Sequence, residues 1–367
     1  SSLIVSLMQQ QSMQKIKTFT IGFNNKKFNE AEHAKAVSSV LNTDHSELYI
    51  NSQDLLNVIP KLSELYDEPF GDSSQIPTYL ISKFAKEQVT VALSGDGGDE
   101  LFCGYNRYKV IDKYWKTLKL LPIPIRKTLA QVILKISPNK IETTLNFFKL
   151  ASQYSNLSDK LYKGSNVLAS KNILDLYTGL ISSCSNPNSV VIDGAESNHL
   201  LSSHFKRYEG MNDISLLMLA DLLTYLPDDI LTKVDRAAMG VSLETRVPML
   251  DHRVVEFALK LPLKYKLRGN QTKWILRELL YRKVPKELLE RPKSGFAIPI
   301  GDWLRSSLKD WADDLLNEET IKKQGFLQAT QIRNRWDQHL SGTHNWEHFL
   351  WNVLMFQTWY KDQYEQE

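Results

Sequence analysis

Residues 90–105 combine glycines and carboxylates in a way that is typical of a nucleotide site. The segment reads Thr-Val-Ala-Leu-Ser-Gly-Asp-Gly-Gly-Asp-Glu-Leu-Phe-Cys-Gly-Tyr. A strand that runs through glycines into a helix lets backbone N–H groups converge on an anion. Asp96, Asp99 and Glu100 would repel a bare phosphate, so the pattern makes sense with Mg²⁺ between carboxylates and phosphates. The segment predicts a magnesium nucleotide site; the alternative is a tight turn whose acids favour a helix N-terminus.

The segments that must position this loop alternate between strand and helix patterns. Apolar and β-branched runs predict strands at 17–23, 44–50 and 89–93, the last of them buried, and helices at 30–41, 54–66 and 76–86. Such alternation indicates a parallel sheet, which binds ligands at the carboxyl ends of its strands. Helix patterns dominate after residue 118, at 118–150, 214–226, 229–239, 254–261, 272–282 and 336–360, with a loop at 179–198.

Length and composition exclude several classes of protein. The 367 residues suffice for two domains or one large one, and 45 Lys and Arg against 42 Asp and Glu give a net charge of only +3. This balance does not indicate a nucleic-acid or membrane partner. Cys103 and Cys184 are too few and too far apart for a disulfide framework, and no apolar run could span a bilayer. We expect a cytoplasmic protein.

Several motifs resemble those of glutamine-dependent asparagine synthetases. Ser-Gly-Asp-Gly-Gly-Asp-Glu-Leu-Phe-x-Gly-Tyr after a strand is similar to the second signature of that family. The resemblance extends over residues 1 to about 300. It includes Phe19-Thr20-Ile21-Gly22-Phe23, Tyr66-Asp67-Glu68-Pro69-Phe70, Leu226-Pro227-Asp228-Asp229, Lys233-Val234-Asp235-Arg236, Ser242-Leu243-Glu244-Thr245-Arg246-Val247-Pro248-Met249-Leu250-Asp251, Lys273-Trp274-Ile275-Leu276-Arg277 and Arg291-Pro292-Lys293-Ser294-Gly295-Phe296.

The resemblance implies a fold and a domain organisation. The fold would be α/β, with a parallel-sheet core of the adenine-nucleotide-hydrolase type (Rossmann-like, PP-loop) over 1–118 and a large helical region over 119–367. Ser1-Ser2 resemble the end of the family's pyrophosphate loop, Ser-Gly-Gly-x-Asp-Ser-Ser, so the core would lack its first strand. The resemblance also implies a glutaminase domain upstream in the same chain, and a homodimer.

The resemblance implies an ATP-dependent amide ligase. The family activates the side-chain carboxylate of aspartate as an acyl-adenylate, releases pyrophosphate, and aminates the adenylate with ammonia to give asparagine and AMP. Such catalysis consists mainly of positioning and charge neutralisation, so ATP as substrate and Mg²⁺ as cofactor come before any protein nucleophile.

Individual roles carry over onto matching positions. Asp99 would ligate Mg²⁺, and Asp96, where many members carry Glu, would serve adenylate formation and take up the proton of the attacking amine. Lys273 would stabilise charge on the pentacoordinate phosphorus and the tetrahedral carbon; its alternative is an ordinary exposed helix lysine. The ATP-binding residues would be Ser1 and Ser2 for pyrophosphate, Ile21 and Gly22 for adenosine, Ser94 and Gly95 for the adenylate, and Tyr105 to close the pocket, unless Tyr105 is a core aromatic.

Five further charged residues are candidates for the substrate pocket. Asp235 and Arg236, with Glu244 and Arg246, are either part of the pocket wall or a buried network of ion pairs. Lys293, two residues before a glycine, would lie on a mobile cationic loop over the site.

The acceptor carboxylate stays open at this point. The best-known asparagine synthetases have Thr-Thr-Ile-Arg where this chain has Phe70-Gly71-Asp72-Ser73, and loss of the Arg removes a bidentate carboxylate clamp. Three functions are therefore compared: amidation of aspartate, amidation of another carboxylate such as a sugar acid of surface polysaccharides, and a non-catalytic nucleotide-binding scaffold. A scaffold has no need of Asp96, Asp99 and Lys273 together.

Overall fold

The computed structural model describes residues 1–23, 29–135, 164–165, 167–195, 208, 210–290 and 298–364. Within these ranges the chain is mostly helical and contains short pairs of strands, two of which are parallel. The coarse prediction of an α/β chain is confirmed.

The chain forms two compact units, and both are built from separated stretches. Unit 1 comprises Ser1–Lys109, Ile214–Pro299 and Asp362–Glu367, and unit 2 comprises Val110–Asp213 and Ile300–Lys361. Helices that follow residue 118 therefore occur in both units. The division of the chain into domains at residue 118 stays a prediction.

Two parallel strand pairs belong to unit 1. Strand β1 (Lys17–Phe23) pairs with β2 (Asp44–Ile50), with Lys17 opposite Asp44, and the helix Ala31–Leu41 connects them. The alternation of strand and helix was predicted, and both strand ranges are confirmed. Strand β3 (Val91–Leu93) pairs with β4 (Glu244–Arg246), which was not predicted because three residues are too few to show a two-residue alternation.

The prediction that β3 is buried is wrong. Val91 and Leu93 are 38% and 42% exposed. Ala92, between them, packs against a small core of Ala85, Ala238 and Leu243. Since successive side chains of a strand point to opposite faces, β3 buries one face through Ala92 and leaves the other partly open.

The remaining strands of unit 1 are a short antiparallel pair, Leu267–Arg268 with Gln271–Thr272. The helices that lie wholly or mainly in this unit are Ser2–Gln11, Ala31–Leu41, Ser52–Leu56, Leu62–Tyr66, Gln75–Lys86, Gly98–Leu101, Asp213–Leu223, Thr232–Met239, His252–Lys260 and Trp274–Tyr281. The helix Asn106–Leu118 begins in unit 1 and ends in unit 2.

A proline and a glycine mark the breaks in two predicted helices, and a second proline lies in the turn between two others. A 3-10 turn, Ile59–Lys61, contains Pro60 and divides the predicted helix 54–66. The turn Leu226–Leu231 is π-helical and contains Pro227, which has no N–H to donate. The predicted helix 336–360 is two helices, Ala329–Leu340 and Glu347–Tyr364, with Gly342 at φ 71° between them.

Unit 2 is helical in its described residues, with a single bridge between Val191 and Leu327. Its helices are Ile123–Lys135, Ile173–Ile181, Ile300–Leu304, Lys309–Leu315, Glu318–Gln324, Ala329–Leu340 and Glu347–Tyr364. The predicted helix 118–150 thus begins only at Ile123, and its end lies outside the described residues. The predicted loop 179–198 is confirmed in part: the preceding helix extends to Ile181, a 3-10 turn occupies Pro187–Ser189, and residues 196–198 are not among those described.

The buried centre of unit 2 is aromatic. Trp336, Trp351 and Tyr177 are almost completely buried, and so is His339. Burial, and after it the positive charge of Arg305, lower the pKa of His339 to about 4. The imidazole therefore stays neutral, and its Nε2 lies within hydrogen-bond distance of the Gly301 carbonyl, at 3.1 Å. No helix in the described part of the chain is both long enough and apolar enough to cross a membrane.

Candidate functional site

A glycine-rich loop follows β3 and leads into the short helix Gly98–Leu101. The N–H of Ser94 donates to the carbonyl of Arg246 at 2.9 Å and continues the pairing of β3 with β4 by one residue. Gly97 has φ 77°, in the left-handed region, and a Cβ there would also overlap with Leu250. Glycine is therefore required at the point where the strand turns into the helix.

The loop contains an ion pair between two of the predicted site residues. Nζ of Lys273 lies 2.8 Å from Oδ2 of Asp99, and the two side chains are 28% and 23% exposed. Lys273 has φ 52°, and its N–H donates to the carbonyl of Phe102 at 3.1 Å. The interpretation of Lys273 as an ordinary exposed helix lysine is wrong, because both its backbone and its ammonium group are bonded to the loop.

Gly104 lies directly against this ion pair. A Cβ at Gly104 would overlap with Oδ1 of Asp99 and with Cε of Lys273. The N–H of Gly104 also donates to the carbonyl of Asp99 at 2.8 Å. Gly104 thus acts on Asp99 in two ways. Its N–H holds the Asp99 carbonyl, and its lack of a side chain leaves room for the Asp99 carboxylate.

Ser1 packs against the other side of the loop. A Cβ at Gly95 would overlap with the backbone nitrogen of Ser1. The structure therefore brings Ser1 and Gly95 together at the glycine-rich loop.

The donor atoms at the loop fit a magnesium ion only in part. Oγ of Ser94 is buried and makes no hydrogen bond within the described residues, and Asp96 and Asp99 supply carboxylate oxygens nearby. No group of three or more His, Cys, Asp or Glu in the described ranges is arranged to hold a metal ion. Mg²⁺ commonly binds through one or two carboxylates and completes its shell with substrate phosphates and water, and these residues suit that mode.

Ile21 and Gly22 lie near the carboxyl end of β1. Ile21 is buried, and Gly22 pairs with Tyr49, whose Cε1 would lie 2.6 Å from a Cβ at Gly22. The tyrosine ring thus packs on the glycine backbone. Ser2 begins the first helix. The roles of Ser2, Ile21 and Gly22 in binding ATP stay predictions.

Tyr105 is hydrogen-bonded back to the short helix that follows the glycine-rich loop. Its hydroxyl donates to Oε1 of Glu100, and Glu100 is only 2% exposed. Burial raises the pKa of Glu100, and the hydrogen bond from Tyr105 partly opposes this effect. Burial and the charge of Glu100 raise the pKa of the Tyr105 phenol, which therefore stays protonated as the donor.

A second charged cluster in unit 1 was missed by the sequence analysis. Nζ of Lys233 lies 2.5 Å from Oδ2 of Asp72 and 3.7 Å from Oδ1 of Asp229. Burial and the charge of Asp72 raise the pKa of Asp229 to about 7, whereas Lys233 opposes that shift. Burial also acts to raise the pKa of Asp72, but Lys233 outweighs it and the net shift is downward. Lys233 thus keeps Asp72 ionised, whereas Asp229 has a pKa of about 7 and holds its proton in weakly acidic solution.

The sequence contained a signal for only two of the three residues of this cluster. Asp229 and Lys233 are four residues apart, a spacing that places two side chains on one helix face. Asp72 lies 161 positions from Lys233 in the chain, and no local pattern joins them. The residues Arg107, Tyr108, Asp221 and Tyr225, described below, were missed for the same reason.

The four charged residues of the predicted pocket wall form surface ion pairs. Arg236 lies 3.5 Å from Asp235, and Arg246 lies 2.6 Å from Glu244. Their side chains are between 48% and 64% exposed. The interpretation as a buried network is therefore wrong, and pairs this exposed contribute little to stability. Lys293 lies outside the described residues.

Comparisons with known proteins agree with the motifs. The sequence model of the family described as asparagine synthase matches residues 1–361. Asparagine synthetase [glutamine-hydrolyzing] 1 of Bacillus subtilis is 30% identical over 364 residues, which cover 98% of this chain and 54% of that protein. A putative asparagine synthetase [glutamine-hydrolyzing] of Mycobacterium tuberculosis (strain H37Rv) is 28% identical over 344 residues, covering 94% of this chain and 50% of that protein.

A relative with a different name also matches. The protein called amidase chyE of Penicillium rubens is 24% identical over 261 residues, which cover 66% of this chain and 37% of that protein. The chain spans about half the length of the two synthetases that it matches over nearly its whole extent.

Gly104→Ala should destabilise the protein. The added methyl group overlaps with Asp99 and Lys273, and overpacking of this kind costs about 1–3 kcal/mol of the free energy of unfolding. Urea denaturation measures the loss. Gly98→Ala is the matched control, because the nearest atoms to its Cβ, on Lys273 and Met249, are 3.8 and 4.0 Å away. Equal stability of the two variants would contradict the packing described here.

Asp229→Asn should change how stability depends on pH. Between 3.8 and about 7 the native state holds a proton on Asp229 that the unfolded chain releases, so its contribution to the free energy of unfolding falls as pH rises through this window. Asn cannot ionise, and the variant should lose this decline and be more stable than the parent above pH 7, by an amount on the order of 1 kcal/mol.

Thermal unfolding from pH 4 to 8 tests this expectation. Asp72→Asn is the opposing control: it removes the close partner of Lys233 and should destabilise the protein at pH 7 by about 3–5 kcal/mol. Parallel stability curves for the parent and Asp229→Asn would show that Asp229 titrates normally.

Proposed function

The chain belongs to the asparagine synthase family, and we propose on this basis that it forms the ATP-dependent ligase site of an enzyme that converts aspartate into asparagine. The observation that carries the proposal is the contact of Lys273 with Asp99, at 2.8 Å, inside the glycine-rich loop. A cation beside a metal-ligating carboxylate is what a site needs when negative charge develops on a phosphate.

The proposed reaction has two steps. In the first, an oxygen of the aspartate side-chain carboxylate attacks the α-phosphorus of ATP, and the bond to the β-phosphate breaks to release pyrophosphate. In the second, ammonia attacks the acyl carbon, and AMP leaves with the electron pair of the acyl–oxygen bond. The amide forms once the attacking nitrogen has lost its proton to a base.

Asp99 and Lys273 would divide the work of charge neutralisation. Asp99 would hold Mg²⁺, which neutralises phosphate oxygens when bound. Lys273 is held at the loop by its backbone bond to Phe102, so its ammonium group is available to the phosphoryl oxygens once Asp99 has another cation. The same ammonium would stabilise the oxyanion of the tetrahedral carbon in the second step.

Asp96 is proposed as the base for the second step. It lies partly buried in the loop, between Gly95 and Gly97 and three residues before Asp99. A carboxylate in this place would take the proton of the attacking amine. Backbone groups of Ser94 and Gly95 would hold the adenylate, with Tyr105 as the wall.

The wider binding site follows from the same proposal. Ser1 and Ser2 would contact the pyrophosphate and Ile21 and Gly22 the adenosine, in a core of the PP-loop, Rossmann-like type. The position of Ser1 against Gly95 supports this arrangement. In the full-length protein the ammonia would come from glutamine, as the names of the two synthetase relatives suggest.

The choice of acceptor is tested by pyrophosphate release. The proposal expects release with aspartate and none with glucuronate in the full-length protein with ATP, Mg²⁺ and ammonia. Release with glucuronate alone would replace aspartate by a sugar acid as the acceptor. Binding of ATP without its cleavage would favour the non-catalytic nucleotide-binding scaffold.

Asp99→Asn should lower Mg²⁺-dependent pyrophosphate release about 100-fold or more, because an amide does not neutralise the charge of the metal. The fold should survive, as judged by circular dichroism. Asp112→Asn, on an exposed side chain of the helix Asn106–Leu118, is the control and should leave the rate unchanged. An unchanged Mg²⁺ dependence in Asp99→Asn would refute the assignment of the metal ligand.

Lys273→Ala should lower kcat for pyrophosphate release by on the order of 100- to 1,000-fold with little change in ATP affinity, because the contact is to charge that develops in the transition state. Lys273→Arg should restore only part of the rate, since its planar fork differs in shape from an ammonium group. Single-turnover kinetics and ATP titration separate the two parameters. Affinity that falls in step with rate would mean that Lys273 binds the ground state.

A further inference from the structure

Arg107 lies just beyond the glycine-rich loop and is enclosed by tyrosine rings. Its Cζ lies 4.1 Å from the centre of the Tyr105 ring, 5.1 Å from that of Tyr225 and 5.7 Å from that of Tyr108. A guanidinium group stacks well on aromatic faces, and the attraction grows when water is excluded. Arg107 therefore supports the face of the Tyr105 ring.

Asp221 fixes the guanidinium group in this position. The aspartate is fully buried, and it accepts a hydrogen bond from Nε of Arg107 at 3.2 Å and a second one from Nη2. Two parallel hydrogen bonds fix the plane of the guanidinium as well as its place. A buried carboxylate without this cation would carry a large desolvation cost, so the pair is held together strongly.

The hydroxyl group of Tyr108 also donates to Asp221. The ring of Tyr108 packs edge-on against that of Tyr105, with 5.7 Å between the ring centres. Asp221 is thus linked to Tyr105 by a charged contact through Arg107 and by an aromatic contact through the Tyr108 ring, and only the first depends on the guanidinium group.

Tyr105 connects Arg107 to the short helix that carries Asp99. Its hydroxyl is bonded to the buried Glu100, the next residue along the chain from Asp99. The helix Gly98–Leu101 has only four residues, too few to define its own orientation by internal hydrogen bonds. It is held by the packing of Leu101 in the core, by the ion pair of Asp99 with Lys273, and by two hydrogen bonds, from Tyr105 to Glu100 and from Gly104 to the Asp99 carbonyl.

We propose that Asp221 is a positioning residue of the candidate site: it holds Arg107 over the ring of Tyr105, and Tyr105 in turn fixes Glu100 and the adjoining Asp99. The inference rests on the proposed function in so far as Asp99 is taken as the magnesium ligand. Groups that orient a metal ligand from behind typically change metal affinity or activity by about 10- to 100-fold when they are altered.

Three variants separate positioning from packing. Asp221→Asn removes the charge that holds Arg107, and Arg107→Lys keeps the cation but loses the planar fork. Tyr108→Phe is the matched control, because it removes the other hydrogen bond to Asp221 and keeps the aromatic ring.

The first measurement is the Mg²⁺ concentration that half-saturates pyrophosphate release by the full-length protein. Asp221→Asn and Arg107→Lys should raise this concentration about 10- to 100-fold, and Tyr108→Phe should leave it within about twofold of the parent. Equal shifts in Asp221→Asn and Tyr108→Phe would overturn the proposal, since they would show a general packing role.

The second measurement does not depend on activity. Hydrogen exchange of the Gly104 amide, which donates to Asp99, should be faster in Asp221→Asn and Arg107→Lys while the amides of β1 keep the exchange rates of the parent. Unchanged exchange at Gly104 in both variants would overturn the proposal. If Asp221→Asn does not fold, Arg107→Lys alone decides between the outcomes.

The two measurements also separate this inference from the proposed function. A parent protein that releases no pyrophosphate with any acceptor, but whose Gly104 amide is loosened by Asp221→Asn, would refute the proposed function and leave the positioning of the loop intact. Normal pyrophosphate release with no effect of Asp221→Asn on either measurement would do the reverse.

Discussion

The contact between Asp99 and Lys273 determines the shape of the candidate site. It joins a short helix after β3 to a residue 174 positions further along the chain, and it forms only because Gly104 leaves the space empty. Lys273 adopts a left-handed backbone that is unfavourable for a residue with a side chain, at a cost of about 1–2 kcal/mol. The hydrogen bond from the Lys273 N–H to the Phe102 carbonyl and the ion pair itself offset this cost. A binding site that stores strain in this way has its charged groups in place before any ligand arrives.

Both charged clusters of unit 1 consist of more carboxylates than cations. Lys273 faces Asp99 with Asp96 nearby, and Lys233 faces Asp72 with Asp229 nearby. In a half-buried setting such an imbalance makes the second carboxylate hold its proton more strongly, as the raised pKa of Asp229 shows. At the loop, the excess of carboxylates over cations instead suits a divalent cation, which would balance both the carboxylates and the phosphates of a bound nucleotide.

The sequence predicted the parts of this molecule that depend on neighbouring residues. The pair β1 and β2, the helix Gln75–Lys86 and the loop before the helix Gly98–Leu101 all follow from local patterns of apolar residues and glycines. Motifs also identified Asp99 and Lys273, but not that they touch. The strand β4 was missed because it gains its shape from pairing with β3, and the cluster around Lys233 was missed because its members come from distant segments.

Burial could not be predicted well for charged residues. Asp235, Arg236, Glu244 and Arg246 have the composition of an internal network, yet they lie on the surface. Asp221, with no motif around it, is completely buried. The difference arises from tertiary packing: a carboxylate is tolerated inside only where an arginine and a hydroxyl group reach it from other parts of the chain.

The π-helical turn Leu226–Leu231 sets the rotational offset between the side chains that precede it and those that follow it in one long helical segment. Tyr225 precedes the turn and lies beside Arg107, and Lys233 follows it and lies beside Asp72. The hydrogen bonds of a π-helical turn span five residues where those of an α-helix span four, so the turn accommodates one residue more than an α-helical turn would. The wide turn thus acts as a one-residue spacer between Tyr225 and Lys233, and it lets one segment place one side chain beside Arg107 and the other beside Asp72.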